Sequence, residues 1–294
     1  MRRPLPLWDN RPAMIDIETV RRAVRLALEE DSAADDVTSA AVIDAAAGAS
    51  GAFVAREALV VCGIEVAREV FRQADPALVF EGRRADGETC APGEVMAAVR
   101  GRARPILAGE RTALNFMQRL SGIATATSRL VALARGSGVQ ISDTRKTAPG
   151  LRALDKYAVA TGGGTNHRAG LGDAILIKDN HWRLVGGVAE AVRRARAAAR
   201  PGAGAGITIE VTSAAEARAA IEAGAQALLL DNMDEATLRE TIALARGRAF
   251  LEISGGVTAE SVPRLAALGV QRLSIGALTH SVRAVDIALE LEAA

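Results

Sequence analysis

The chain has 294 residues, about half of them hydrophobic, and a formal net charge of +1. That length allows one large or two ordinary domains with a substantial core, and the balance of acids and bases argues against a general nucleic-acid binder, which carries a basic excess. Cys62 and Cys90 lack metal-type spacing, the amino terminus MRRPLPLWDNRPAM has no continuous apolar core, and every apolar run stops well short of ~18 residues, so a reduced cytoplasmic protein without signal peptide or membrane span is expected.

DIETVRRAVRLALEED opens with Asp16 as an N-cap and places Ile17, Val20, Val24, Ala27 and Leu28 on one helical face. From 49 to 104 the pieces ASGAFVAREALVVCG, LVFEGRRADGETC and EVMAAVRGRAR are short, β-rich and separated by glycine turns, with a helix expected over 64–74. They predict a mixed α/β domain dominated by an antiparallel sheet. PILAGERTALNFMQRLSGIATATSRLVALARGSG reads as helix with a break near Ser121-Gly122.

A rhythm then sets in. GVQISDTRK, DAILIKDNH, GITIEVTS, ALLLDNM, FLEISGGV and RLSIGALTH are short apolar runs with polar ends, most of them separated by alanine-rich helical patterns. Such repetition predicts βαβ units and a parallel sheet. A full eight-unit barrel takes about 250 residues, more than the segment 138–280 supplies. An incomplete, open parallel α/β barrel of six or seven strands is the expected architecture, with the amino-terminal domain attached. The alanine/glycine stretch 195–206 reads as a surface loop, and the glycines at 162–164 as a bent or mobile one.

Functional groups gather at the carboxyl ends of strands in such a barrel. Here those ends read Asp143-Thr144-Arg145-Lys146, Lys178-Asp179-Asn180-His181, Glu210, Asp231-Asn232, Ser254-Gly255-Gly256, and Gly276 through His280. Arg145, Lys146, His167, Arg168 and Lys178 form a cationic set suited to carboxylates and phosphate. His280 alone reads as a structural hydrogen-bonding residue. Glu210 and Asp231 close neighbouring strands and are expected side by side, where they could hold Mg²⁺ through oxygens or water, or stabilise a developing cation. ISGGV and SIGALTH place small residues where backbone N–H groups can cradle phosphate.

ERTALNFMQRLSGIAT, DTRKTAPGLRALDKYAV, GGGTNHRAGLGDAILIKDNH, LLLDNM, ISGGV and IGALTHS closely resemble the nicotinate-nucleotide pyrophosphorylase (carboxylating) family, the quinolinate phosphoribosyltransferases, from about residue 15 to the carboxyl end. The resemblance implies transfer of a phosphoribosyl group from phosphoribosyl pyrophosphate (PRPP) to quinolinate, with release of pyrophosphate and CO₂ and formation of nicotinate mononucleotide for NAD biosynthesis. It implies a quinolinate pocket of Arg145, His167, Arg168 and Lys178, with Arg111 reaching in from a partner subunit of a homodimer or higher homo-oligomer. Thr144 and Lys146 match substrate-site positions, Lys146 toward PRPP. Glu210 and Asp231 match acids near the ribose and its Mg²⁺. Ser254, Gly255 and Gly256, and Ile275, Gly276 and Ala277, match phosphate-binding turns. Lys146, Lys178, Glu210 and Asp231 are the expected catalytic set.

The implied division is an α/β sandwich over 1–115, an open-barrel catalytic domain over 116–282 and a carboxyl-terminal helix over 283–294. Three positions depart from the family pattern: Ala148 in KTAPG, Asp35 in place of a glycine, and Thr208 where many relatives carry a glutamate before the acid matching Glu210. Other readings of the residues are an aldolase-like lyase with a Schiff base on Lys178, a related phosphoribosyltransferase with another acceptor, and a non-catalytic phosphosugar sensor.

Overall fold

The computed structural model describes residues 15–198 and 206–294. The amino-terminal segment MRRPLPLWDNRPAM lies outside those residues, as does most of the stretch 195–206 expected as a loop. In chain order the elements are α1 (Ile17–Glu30), α2 (Val37–Val42), β1 (Gly48–Ala55), β2 (Leu59–Val60), α3 (Ile64–Ala74), β3 (Val79–Gly82), β4 (Thr89–Cys90), β5 (Val95–Arg102) and α4 (Ala103–Leu133). There follow β6 (Gln140–Ser142), α5 (Arg152–Thr161), β7 (Leu176–Ile177), α6 (Asp179–Leu184), α7 (Val188–Ala198), β8 (Thr208–Val211), α8 (Ala214–Glu222) and β9 (Ala227–Asp231). The last elements are α9 (Glu235–Ala245), β10 (Phe250–Ser254), α10 (Val262–Ala266), β11 (Arg272–Ser274), α11 (Ala277–His280) and β12 (Ile287–Ala293).

Two units emerge from the pattern of contacts. The first holds the described residues up to 128 together with 147–163 and 277–294. Its antiparallel sheet has the order β12-β1-β5-β3. Phe53 on β1, Phe71 on α3 and Phe80 on β3 meet with ring centroids 5.8–6.0 Å apart, so α3 seals one face of the sheet. Asp16 caps α1 by accepting from the Thr19 N–H at 3.1 Å, and Val20 and Val24 are its buried residues. Ile17, expected on the same apolar face, is exposed.

Three expectations are corrected here. The carboxyl-terminal helix is instead strand β12, with Leu289 opposite Phe53 and Leu291 opposite Gly51. Alanine, leucine and glutamate favour helix, but the alternation Ile287, Leu289, Leu291 matches the open edge of β1, and tertiary pairing overrides weak propensity. The break near Ser121-Gly122 is absent, since α4 is continuous over 31 residues. Those small residues serve close packing: the Ser121 hydroxyl accepts from the Cys62 N–H and donates to the Cys62 carbonyl, and a Cβ on Gly122 would overlap the Arg283 carbonyl oxygen. A domain cut at 115/116 falls inside α4 and separates groups that pack together, because α5 and the carboxyl-terminal strand belong with the first unit.

The second unit contains the described residues of 129–146 and 164–276. Its six strands are all parallel, in the order β6-β11-β10-β9-β8-β7. The first strand pairs with the last, and the sheet is open between β6 and β7, the first and second in sequence. Thr165 adds a single parallel bridge to Ser142 on the β6 edge. This is the open six-stranded sheet that the βα rhythm predicts, and its carboxyl edge carries the polar strand ends.

Candidate active site

Side chains alternate across a strand, so register fixes which groups share a face. Glu210 on β8 is opposite Leu229 on β9, Leu229 is opposite Glu252 on β10, and Asp231 is opposite Ser254. Glu210, Asp231, Ser254 and Glu252 therefore share one face, while Ile209, Leu228, Leu230, Leu251 and Ile253 are buried on the other. Glu210 and Asp231 are diagonal neighbours, two residues out of level, rather than directly abreast.

Among the cations, Lys178 Nζ donates to Glu210 Oε2 at 2.7 Å, with Lys178 about half exposed and Glu210 buried. Arg168 is buried; its Nη1 donates to the Ala174 carbonyl at 3.1 Å, and its Nε is buried without a hydrogen-bond partner. Burial first, and then the charge of Arg145, lower the Arg168 pKa, with Asp173 opposing them. Arg145 thus lies near enough for its charge to act against that of Arg168. Such an arrangement is relieved by an anion. Thr144 accepts the Lys146 N–H at 3.0 Å, fixing the exposed turn after β6. His181 turns back to accept the Lys178 N–H at 2.9 Å, so this histidine braces the start of α6.

Asp231 accepts from the Asn232 side-chain amide at 2.7 Å. Asn232 has φ +50°, a left-handed conformation that asparagine tolerates. Gly255 has φ +86°, and a Cβ there would overlap the Asn232 side-chain oxygen. Ser254, Gly255 and Gly256 thus form a turn seated against the residue that holds Asp231. At the other expected phosphate turn, the Ile275 N–H donates to the Ser142 carbonyl at 2.8 Å, anchoring the start of that turn beside β6. His280 is exposed and lies 2.6 Å from the Ser281 hydroxyl through Nδ1. Arg111 is exposed on α4.

The sequence profile of the quinolinate phosphoribosyl transferase C-terminal domain matches residues 123–290, and that of its N-terminal domain matches 36–121. The chain belongs to the quinolinate phosphoribosyltransferase family. It is 41% identical over 285 residues to the nicotinate-nucleotide pyrophosphorylase (carboxylating) of Mycobacterium leprae, covering 94% of this chain and 98% of that one. It is 40% identical over 262 residues to the probable nicotinate-nucleotide pyrophosphorylase (carboxylating) of Bacillus subtilis, covering 89% and 90%. The solved nicotinate-nucleotide pyrophosphorylase of Francisella tularensis superposes with a TM-score of 0.90 at 37% identity, covering 97% of this chain and 100% of that one.

This quinolinate phosphoribosyltransferase-family chain also carries buried charged residues outside the expected site set. Asp143, fully buried, accepts from the His167 N–H at 2.8 Å and from the Asn166 side chain at 2.6 Å, holding the loop that bears Arg168. Glu252 and Arg272, each 1% exposed, lie among the inward-facing side chains, with Glu252 Oε2 3.6 Å from Arg272 Nη1. Parity was the available signal: Phe250, Glu252 and Ser254 share a face, so a charge in the middle of FLEIS must enter the interior. Thr208, the departure beside Glu210, is buried, and its hydroxyl has no hydrogen-bond partner.

Proposed function

We propose that the chain transfers the phosphoribosyl group of PRPP to quinolinate and releases CO₂, giving nicotinate mononucleotide and pyrophosphate. The observation that carries this reading is buried Arg168, its Nε unpartnered and its charge disfavoured by Arg145. A carboxylate of quinolinate supplies the partner that the Arg168 Nε lacks, and the guanidinium fork suits it.

In this reading Arg145, Arg168 and Lys178 hold the two ring carboxylates, with Thr144 alongside and His167 behind them. Lys146 and the turns Ser254–Gly256 and Ile275–Ala277 hold the phosphates of PRPP. Held so, the pyridine nitrogen faces C1 of the ribose. The C1–oxygen bond to pyrophosphate breaks with its electron pair leaving on oxygen, and the ring nitrogen bonds to C1. Glu210 and Asp231 supply fixed negative charge beside the positive charge that develops on the sugar. The quaternised ring then accepts the electron pair of the carbon–carboxylate bond, CO₂ departs, and a proton replaces it. No protein nucleophile is needed.

Mg²⁺ belongs to this reading as a companion of PRPP. Glu210 and Asp231 are hard oxygen donors on one face of neighbouring strands, and Mg²⁺ commonly takes one or two carboxylates, with waters and substrate phosphates completing its shell. The described residues contain no group of three or more His, Cys, Asp or Glu side chains placed to hold a metal, which suits an ion held chiefly by substrate. When bound, it would neutralise charge on the departing pyrophosphate.

The same reading makes the working form a homodimer or higher homo-oligomer, with Arg111 entering a neighbouring subunit's site, and places it in the cytoplasm without nucleic-acid or membrane partners. Among the described residues no helix is long and apolar enough to cross a membrane. The test is purified protein with quinolinate, PRPP and Mg²⁺, followed for nicotinate mononucleotide and pyrophosphate. Product is expected with quinolinate and not with nicotinate; turnover of nicotinate alone overturns the assignment.

A further inference from the structure

Glu252 is a carboxylate in the middle of a barrel strand with 1% of its surface exposed. Removing such a group from water is costly unless its partners are well placed. Its Oε1 accepts from the Ser274 hydroxyl on β11 and lies 3.4 Å from His167 Nε2. Its other oxygen is 3.6 Å from Arg272 Nη1, and Arg272 is itself held by the Phe250 ring, 5.2 Å to the centroid, and by Gln140 Oε1 at 3.3 Å. An isolated Glu252–Arg272 pair gives a poor reason for burying two charges, because apolar side chains of similar size pack there as well or better. An apolar pair cannot reproduce the contacts to Ser274 and His167, and the one to His167 leads toward the strand ends.

His167 has both ring nitrogens engaged. Nδ1 accepts the Arg168 N–H at 2.9 Å, so the ring hydrogen resides on Nε2, the atom facing Glu252. The histidine is buried, and its own N–H donates to Asp143. Its imidazole therefore spans the interior carboxylate and the main chain of the buried arginine. A carboxylate behind a histidine commonly fixes which nitrogen carries the hydrogen, and thereby what the other nitrogen can do.

We propose that Glu252 is a positioning residue: it holds His167 as the Nε2–H tautomer, and His167 Nδ1 in turn fixes the Arg168 main chain so that the guanidinium meets a carboxylate of quinolinate. His167 then acts through Arg168 and not as a direct donor to substrate. The identity of the carboxylate ligand rests on the function proposed above; the Glu252–His167–Arg168 relation does not.

The test combines nitrogen-15 NMR of histidine-labelled protein with ligand calorimetry. The chain has only three histidines, and His167→Asn identifies the His167 signals. Wild-type protein should show the His167 hydrogen on Nε2, with that tautomer kept when quinolinate is added. In Glu252→Gln the side-chain amide can donate to Nε2 and displace the hydrogen to Nδ1. The tautomer should shift or become mixed, and the quinolinate Kd should rise at least tenfold, while the PRPP Kd stays within threefold. Should that variant fail to fold, Glu252→Gln with Arg272→Met removes both buried charges and carries the same expectation. An Nε2–H tautomer unaltered in the variant overturns the proposal, and so does equal weakening of both ligands. If wild-type protein binds no quinolinate, the functional reading fails, and the wild-type and variant tautomers still decide the relay.

Discussion

Lys178 and Glu210 form a 2.7 Å ion pair in which the acid is buried and the lysine is half exposed. In the proposed function the pair divides two jobs: the ammonium turns to a substrate carboxylate, while the carboxylate stays to face the sugar. Glu210→Gln keeps a hydrogen-bond acceptor for Lys178 but removes the charge felt mainly in the transition state, so kcat should fall about 100-fold with little change in either KM. Lys178→Met should raise the quinolinate KM as well. Steady-state kinetics with each substrate varied separates the two, and a Glu210→Gln defect confined to KM contradicts the assignment.

In the proposed function Arg168 serves binding at the expense of the unliganded fold, since burial, and then Arg145, disfavour its charge. Arg168→Met should leave thermal stability of the free protein within about 1 kcal/mol of wild type, because lost hydrogen bonding to Ala174 is offset by relief of desolvation. Saturating quinolinate should stabilise wild-type protein by about 2.7 kcal/mol at 100 times its Kd and leave the variant unmoved. A ligand-induced rise in the Tm of Arg168→Met equal to that of wild type shows that the arginine is not the carboxylate partner.

Asn232 connects the acid at the end of β9 to the glycine turn at the end of β10. Gly255→Ala must displace the Asn232 side chain and carry a positive φ, a conformation costing on the order of 1 kcal/mol for a residue with Cβ. The PRPP Kd should rise about tenfold or more, with quinolinate binding retained. Adding Asn232→Ala removes the steric part alone, so a double-mutant cycle should show coupling of at least 0.5 kcal/mol. Strict additivity argues that the two residues do not meet in solution.

The βα rhythm and the glycine corners were legible because period-two apolar runs and turn residues are local signals. Arg145, Arg168 and Lys178 were legible because charges beside apolar strands are unusual. Glu252 and Arg272 were hidden because each is one charge inside a short strand, and only the register across β10 and β11 shows them level with one another. His181 and His167 look alike in the sequence, yet one braces a helix start and the other lies inside the barrel, a difference that depends on Asp143 and Glu252 rather than on neighbouring residues. β12 was misread because its helix-favouring residues pair with a strand more than 200 positions earlier.

Tyr157, the only tyrosine, donates its hydroxyl to Asp86 at 2.7 Å, and Asp86 accepts from the Gly63 and Ile64 N–H groups at the start of α3. Burial, followed by the Asp86 charge, pushes the phenol well above its ordinary range. The folded state therefore keeps a proton that the unfolded state releases near pH 10. The associated stability is fully present below that pH and is lost as pH rises from there toward the higher folded pKa. Tyrosinate absorbance should be missing from native protein at pH 11 and present after unfolding in urea at the same pH. Tyr157→Phe should flatten the alkaline fall in stability; native ionisation near pH 10 refutes the contact.

Arg111 projects from α4 and is exposed in the single chain. If it completes a neighbouring subunit's site, the defect of Arg111→Ala lies on a different chain from the pocket it impairs. Arg111→Ala and Lys178→Ala homo-oligomers should each be nearly inactive. Mixed dimers carry one site built from the Lys178→Ala pocket with an Arg111→Ala donor, and one site with both residues intact. Random mixing of equal amounts makes half of all dimers mixed, each with one of two sites restored, so about a quarter of wild-type activity should return. Native mass spectrometry of differently tagged subunits reports exchange independently of turnover. Complete exchange with no recovered activity would place Arg111 outside the shared site.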